Sequence, residues 1–191
     1  MARIENVAII GAGGHVGSFI VDALVEQGKH KITAITRTDS KATMPSGLAA
    51  MKTVDYSNHK SLVEALKGQD MLIITLGVMA KPDTQQKLVD ACKDAGVKYV
   101  MPNEWGQNPA LNEQMGKDVM LGTGRQEVRA YIEKVGLTWI GLCCSFCKFL
   151  GLPKYIRPML TIARVRVQSL RRRDALRLRL PREETHPLRR R

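Results

Sequence analysis

The chain has 191 residues, 44% of them hydrophobic and 25% charged, a composition that suits one folded domain and excludes a disordered or collagen-like polypeptide. Its net charge of +12 would suit a nucleic-acid binder if it were evenly spread, and it is not. Residues 1–156 carry 18 Lys+Arg against 15 Asp+Glu, whereas residues 157–191 carry 12 Arg, no Lys and only three acids, so the body is mildly basic and the charge belongs to the end of the chain.

In chain order, "NVAIIG" (6–11) reads as a buried strand and "GHVGSFIVDALVEQG" (14–28) as a helix with Val16, Phe19, Ile20 and Leu24 on one face and Gly28 closing it. "KITAIT" (31–36) is a second strand and "MKTVDY" (51–56) a third, followed by a helix over 58–67 that ends at Gly68. "DMLIITLG" (70–77) is apolar throughout its centre, as a strand covered on both faces should be. A helix over 82–96 starts at a proline and stops at a glycine; a fifth strand follows at 98–101, a helix-bearing segment at 117–135 and a sixth strand at 137–142. Strands alternating with helices of these lengths predict an α/β fold, a doubly wound parallel sheet of about six strands of the Rossmann kind. The expected division is a dinucleotide-binding domain over 1–146 and an atypical, irregular or disordered Arg-rich tail over 147–191.

The stretch "IIGAGGHVG" stands where the first strand hands over to the first helix. Gly11 permits a tight turn, Gly13 or Gly14 lets backbone amides approach a pyrophosphate, and Gly17 lets the helix pack close to the sheet. The helix N-terminus offers unpaired N–H groups and a positive dipole end to phosphates. The candidate phosphate-binding set is therefore Gly11, Gly13, Gly14, His15, Val16 and Gly17. A dinucleotide loop and a merely tight turn are the two readings, and the strand-loop-helix-strand context favours the first.

The end of the second strand selects between dinucleotides. NAD sites place an acid there, about 20 residues beyond the glycines, for the ribose 2′-hydroxyl. This chain has Thr36 and Arg37, with Lys41 nearby, and an arginine fork suits a 2′-phosphate that a carboxylate would repel. The expected cofactor is NADP(H), with NAD(H) the alternative should Asp39 turn inward. Asp55 and Tyr56 end the third strand, where they either flank an adenine or open the next helix as a capping turn.

With "GAGGHVG", "TR" after the second strand, "DY" after the third and "YVMPNEWGQN" after the fifth, residues 4–146 resemble the NmrA-like and isoflavone-reductase-like family of atypical short-chain dehydrogenase/reductases, which bind NADP(H). The resemblance implies a phosphate site at Gly11, Gly14 and Gly17 and a 2′-phosphate site at Thr36 and Arg37. It also implies adenine contacts near Asp55 and Tyr56, and a nicotinamide-side wall from Leu76, Gly77 and the loop holding Asn103, Glu104 and Trp105. Such relatives reduce small metabolites with the help of a lysine on the helix after the "NEWG"-type loop. In this chain the nearest positions carry Arg125 and Glu127, Lys134 lies at the far end, and Lys117 is the candidate substitute. An arginine stays protonated and does not serve as a general acid or base near neutral pH. Such relatives also continue into a smaller domain that closes over the nicotinamide, which "CKFLGLPKYIRPMLTIARVRVQ" does not resemble.

Three functions follow: an NADPH-dependent reductase of a small metabolite, an NADP(H)-sensing regulator acting on a protein partner, or a shortened, inactive product. Cys144 and Cys147 are spaced like a metal half-site, but the scattered histidines supply no second half, and no metal is expected. The Arg-rich tail would touch nucleic acid only nonspecifically, or has no selected function, and its "ARVRV" and "LRLRL" alternation would suit an edge strand. The run "VAII" leads straight into glycines rather than forming a signal peptide, and "LTWIGLCCSF" is too short to span a bilayer, so no membrane association is expected. The expected location is the cytoplasm, with the nucleus as the alternative.

Overall fold

A computed structural model describes residues 4–77, 80–81, 83–105, 123–143 and 164–168. Among these, seven strands form one sheet in the order β3-β2-β1-β4-β5-β6-β7. The strands are β1 (Asn6–Ile10), β2 (Lys31–Arg37), β3 (Ala50–Val54), β4 (Met71–Ile74), β5 (Tyr99–Met101), β6 (Thr138–Cys143) and β7 (Arg164–Gln168). The first six are mutually parallel. The helices that join them are α1 (His15–Gln27), α2 (His59–Leu66), α3 (Thr84–Ala95) and α4 (Thr123–Lys134).

Period-2 alternation sorts the strand residues between two cores. Ala8, Ile10, Leu72 and Ile74 face α2, α3 and α4, where they meet Leu62, Leu66, Leu88 and Ile132. Val7, Ile9, Met71 and Ile73 point to the other face, against Ile20 and Val21 of α1. Because both faces are covered, β1 and β4 are apolar at every central position, which is why the sequence shows runs rather than alternation there. Helices α1 and α3 stop at Gly28 and Gly96, both left-handed, at the residues the sequence marks as stops.

The arginine-rich segment adds a strand to the sheet. Arg164–Gln168 lies antiparallel to β6, pairing Trp139 with Gln168 at one end and Cys143 with Arg164 at the other. Its alternating "RVRVQ" has the period of a strand, and it pairs the outer backbone groups of β6.

The strand order sets the position of the site. From β1 the chain winds outward through β2 and β3, then returns to place β4 on the other side of β1. The carboxyl ends of β1 and β4 therefore separate at a topological switch point, where open α/β sheets bind ligands.

Candidate functional site

At the switch point the backbones leaving β1 and β4 are in contact. Thr75 donates its N–H and its Oγ1 hydroxyl to the Ile10 carbonyl, at 3.0 Å and 2.7 Å. Gly11 turns away with φ +81, and a Cβ there would stand 2.1 Å from the Thr75 carbonyl oxygen. Only glycine meets both demands. A Cβ on Gly17 would lie 2.0 Å from the Gly11 carbonyl oxygen, so the first turn of α1 packs directly onto the loop.

Gly14 is the N-cap of α1, and its N–H donates to the Gly11 carbonyl at 2.9 Å. The following amides, His15, Val16 and Gly17, belong to the first turn, where a helix has no intrahelical acceptor for them. No acidic residue sits in that turn to compete for the positive end of the helix. The loop is thus a cradle of backbone donors kept free of side chains. Gly13 is closely packed as well: a Cβ there would meet the Thr43 carbonyl oxygen at 2.6 Å and the Ala42 Cβ at 2.9 Å. Its smallness admits the β2–β3 connection.

Beyond the loop, β2 ends with Thr36 half-buried and Arg37 exposed. Arg37 Nε is 3.5 Å from Asp39 Oδ1, both side chains lying largely in solvent. The guanidinium therefore has a weak local partner and freedom to leave it. Tyr56 lies nearby, half-buried, and burial pushes its hydroxyl up to about 12 even though Arg37 opposes the shift. Asp55 is engaged locally: its carboxylate accepts from the Ser57 N–H at 2.8 Å and hydroxyl at 2.7 Å, and these bonds hold its pKa below the usual value. That is the capping turn foreseen as the alternative to an adenine contact, with Asn58 as the N-cap proper.

The opposite wall joins the exits of β4 and β5. The Asn103 side chain accepts from the Leu76 N–H at 3.1 Å and donates to the Leu76 carbonyl at 3.0 Å. The Asn103 N–H in turn donates to Gln85 Oε1 on α3 at 2.9 Å. Trp105 Nε1 donates to the Ile74 carbonyl at 2.9 Å. Leu76, Asn103 and Trp105 are thereby one unit, with exposed Gly77 at its rim.

Glu104 stands apart from its neighbours, because it faces inward. It is only 2% exposed, and both its oxygens accept from Arg129 Nε of α4 at 2.9 Å, with a further bond from Arg129 Nη2 to Oε2. Arg129 also stacks over the Trp139 ring, 4.5 Å from its centroid. Sequence reasoning missed Thr75, Gln85, Arg129 and Trp139. Thr75 carries a local signal, as the first polar residue after the apolar β4 run; the others are joined to the site by topology alone.

Lys117, Cys144 and Cys147 lie outside the described residues. Among the described residues there is no cluster of potential metal ligands, and no helix is long and apolar enough to cross a membrane.

The model of the NmrA-like family matches residues 4–188, a span that continues through the arginine-rich segment. The oxidoreductase aprR of Aspergillus flavus is 32% identical over 139 residues, covering 70% of this chain and 46% of that protein. Phenylcoumaran benzylic ether reductase TP7 of Nicotiana tabacum is 28% identical, over 85% of this chain and 55% of its own. A solved structure of AtPrR2 with NADP+ and (+)pinoresinol superposes with a TM-score of 0.60 at 25% identity, over 73% of this chain and 49% of that one. The chain spans about half the length of the relatives it matches.

Proposed function

The chain belongs to the NmrA-like family, and from that premise we propose that it binds NADP(H) at the switch point and serves as the cofactor-holding part of a reductase of a small metabolite. The observation that carries this is the cradle itself. Gly11 and Gly17 sit where no side chain fits, directly under the first-turn amides of α1, at the crevice between β1 and β4. A pyrophosphate placed there would accept from the His15, Val16 and Gly17 N–H groups, the Gly14 N–H being already given to the Gly11 carbonyl.

Arg37 and Thr36 would receive the 2′-phosphate. Arg37 exchanges a solvent-exposed carboxylate partner for a dianion, a trade that favours the phosphate through its bidentate fork. Tyr56 would flank the adenine, with Asp55 holding the turn beside it. The nicotinamide side would rest against Leu76, Gly77, Asn103 and Trp105, a wall held by the bonds of Asn103 to Leu76 and of Trp105 to Ile74. A bound NADPH supplies a hydride; Lys117 is the candidate to hold the proton that balances it. The relatives named as reductases, and one solved with NADP+, support the same reading.

The test is a titration of the protein with NADPH and with NADH, repeated on Arg37→Ala. The expected result is that NADPH binds the parent protein more tightly by about tenfold or more, and that Arg37→Ala removes the preference. If NADH binds as well as NADPH before and after the substitution, the 2′-phosphate assignment fails. If neither binds, the cofactor reading fails.

A further inference from the structure

The ion pair between Glu104 and Arg129 has no place in the site as described so far. Glu104 is 2% exposed and Arg129 9%, so both charges have been taken out of water. Burying such a pair gives back in Coulomb attraction roughly what desolvation costs, and apolar residues of similar volume often stabilise a fold as well or better. Stability alone is therefore a poor account of it. Geometry is a better one.

The pair is the end of a stack that begins in β6. A Cβ at Gly141 would stand 2.8 Å from Trp139 Cζ3, so the absence of a side chain there leaves the indole its place. Trp139 is buried and is held at its other edge by Nε1 donating to Glu133 at 2.8 Å. Arg129 lies on the ring face and turns its fork on Glu104. Helix α4 is tied separately to α3, where Tyr131 donates to Asp90 at 2.5 Å. Glu104 thus hangs from a rigid frame of β6, α4 and α3. Its two neighbours, Asn103 and Trp105, make the bonds that close the loop onto the β4 exit.

We propose that the Glu104–Arg129 pair, seated on Trp139, is the positioning device for the nicotinamide-side wall: it sets the register of residues 102–105 against Ile74 and Leu76 and so orients one half of the dinucleotide, leaving the other half to the glycine loop. Glu104 and Arg129 are positioning residues and touch no reacting atom. Glu104 is accordingly removed from the candidates for direct cofactor contact. The inference rests on the NADP(H) reading and deepens it.

Two probes separate the halves. NADPH engages both walls; adenosine 2′,5′-bisphosphate carries the 2′-phosphate but no nicotinamide. In Glu104→Met/Arg129→Met, which replaces the pair with apolar residues, the melting temperature is expected to stay within about 4 °C of the parent. Affinity for the bisphosphate should stay within about twofold, while that for NADPH falls about tenfold. Glu104→Leu/Arg129→Met, which also removes both charges together, is the second variant should the first not fold, and the same split is expected. Equal losses for both probes would mean that the pair only holds the fold, and unchanged NADPH binding would mean that it positions nothing; either overturns the inference while leaving the cofactor reading intact. A parent protein that binds neither probe overturns both.

Discussion

The two walls of the crevice are built on opposite principles. On the β1–β2 side the wall is backbone and exposed charge: glycines whose absent side chains let the loop close against β4 and α1, first-turn amides, and an arginine in solvent. On the β4–β5 side, the side chains of Asn103, Glu104 and Trp105 are already bonded to protein groups, down to a carboxylate buried against a guanidinium. A pyrophosphate and a 2′-phosphate are anions that find strong donors by themselves. The reduced nicotinamide of NADPH is a neutral ring with no anionic group to be found by, so a wall set in advance would orient it. Under the proposed placement of NADP(H), the difference between the walls matches the difference between the two ends of the ligand.

Removing the frame behind the second wall should have the largest effect. Trp139→Ala empties a fully buried position in the core beneath α4 and takes away the surface on which Arg129 lies. Chemical denaturation should show a loss of about 3–5 kcal/mol. Next is the first wall. Gly11→Ala puts a side chain at φ +81 against the Thr75 carbonyl, and calorimetry should find NADPH binding weakened by about a hundredfold, the equivalent of about 2–3 kcal/mol of strain. Arg37→Ala should cost NADPH about tenfold and NADH nothing, because it touches only the 2′-phosphate.

The smallest effect on binding should come from the far end of the sheet. Asp70 accepts from the Asn6 and Glu5 amides, each at 2.9 Å, and these bonds hold its pKa below the ordinary carboxylate value. A lowered folded-state pKa means that the unfolded chain takes up the proton first. The stabilisation is therefore present above the unfolded value of about 4 and is lost as pH falls through the folded one. Asp70→Asn should flatten the acid limb of the pH–stability curve and leave NADPH affinity unchanged at neutral pH. A change in affinity would break the separation between the sheet's two ends.

Much of this was legible in the sequence, and for physical reasons. Runs such as "VAII" and "MLII" carry the mark of strands covered on both faces, and Gly28 and Gly96 close the helices where their periodicity stops. Gly11, Gly17 and Arg37 were readable because their roles are local: a turn, a helix start, a strand end. The packing of Gly13 against Thr43 was not legible, because Thr43 comes from a connection that local spacing does not place. The Glu104–Arg129–Trp139 stack was invisible for the same reason. Glu104 and Arg129 are 25 residues apart, and only the parallel pairing of β5 with β6 brings the helix between them onto the loop. Glu104 was consequently counted with Asn103 and Trp105 as a cofactor contact, although its carboxylate points the other way.

The most direct test of the central claim is amide chemical-shift mapping as NADPH is added to isotopically labelled protein. The account predicts saturable shifts at Gly14, His15, Val16 and Gly17, at Thr36 and Arg37, and at Leu76 and Asn103, with Glu5, Asn6 and Asp70 silent. Shifts confined to the opposite end of the sheet, or none along Gly14–Gly17 at saturating NADPH, would contradict it.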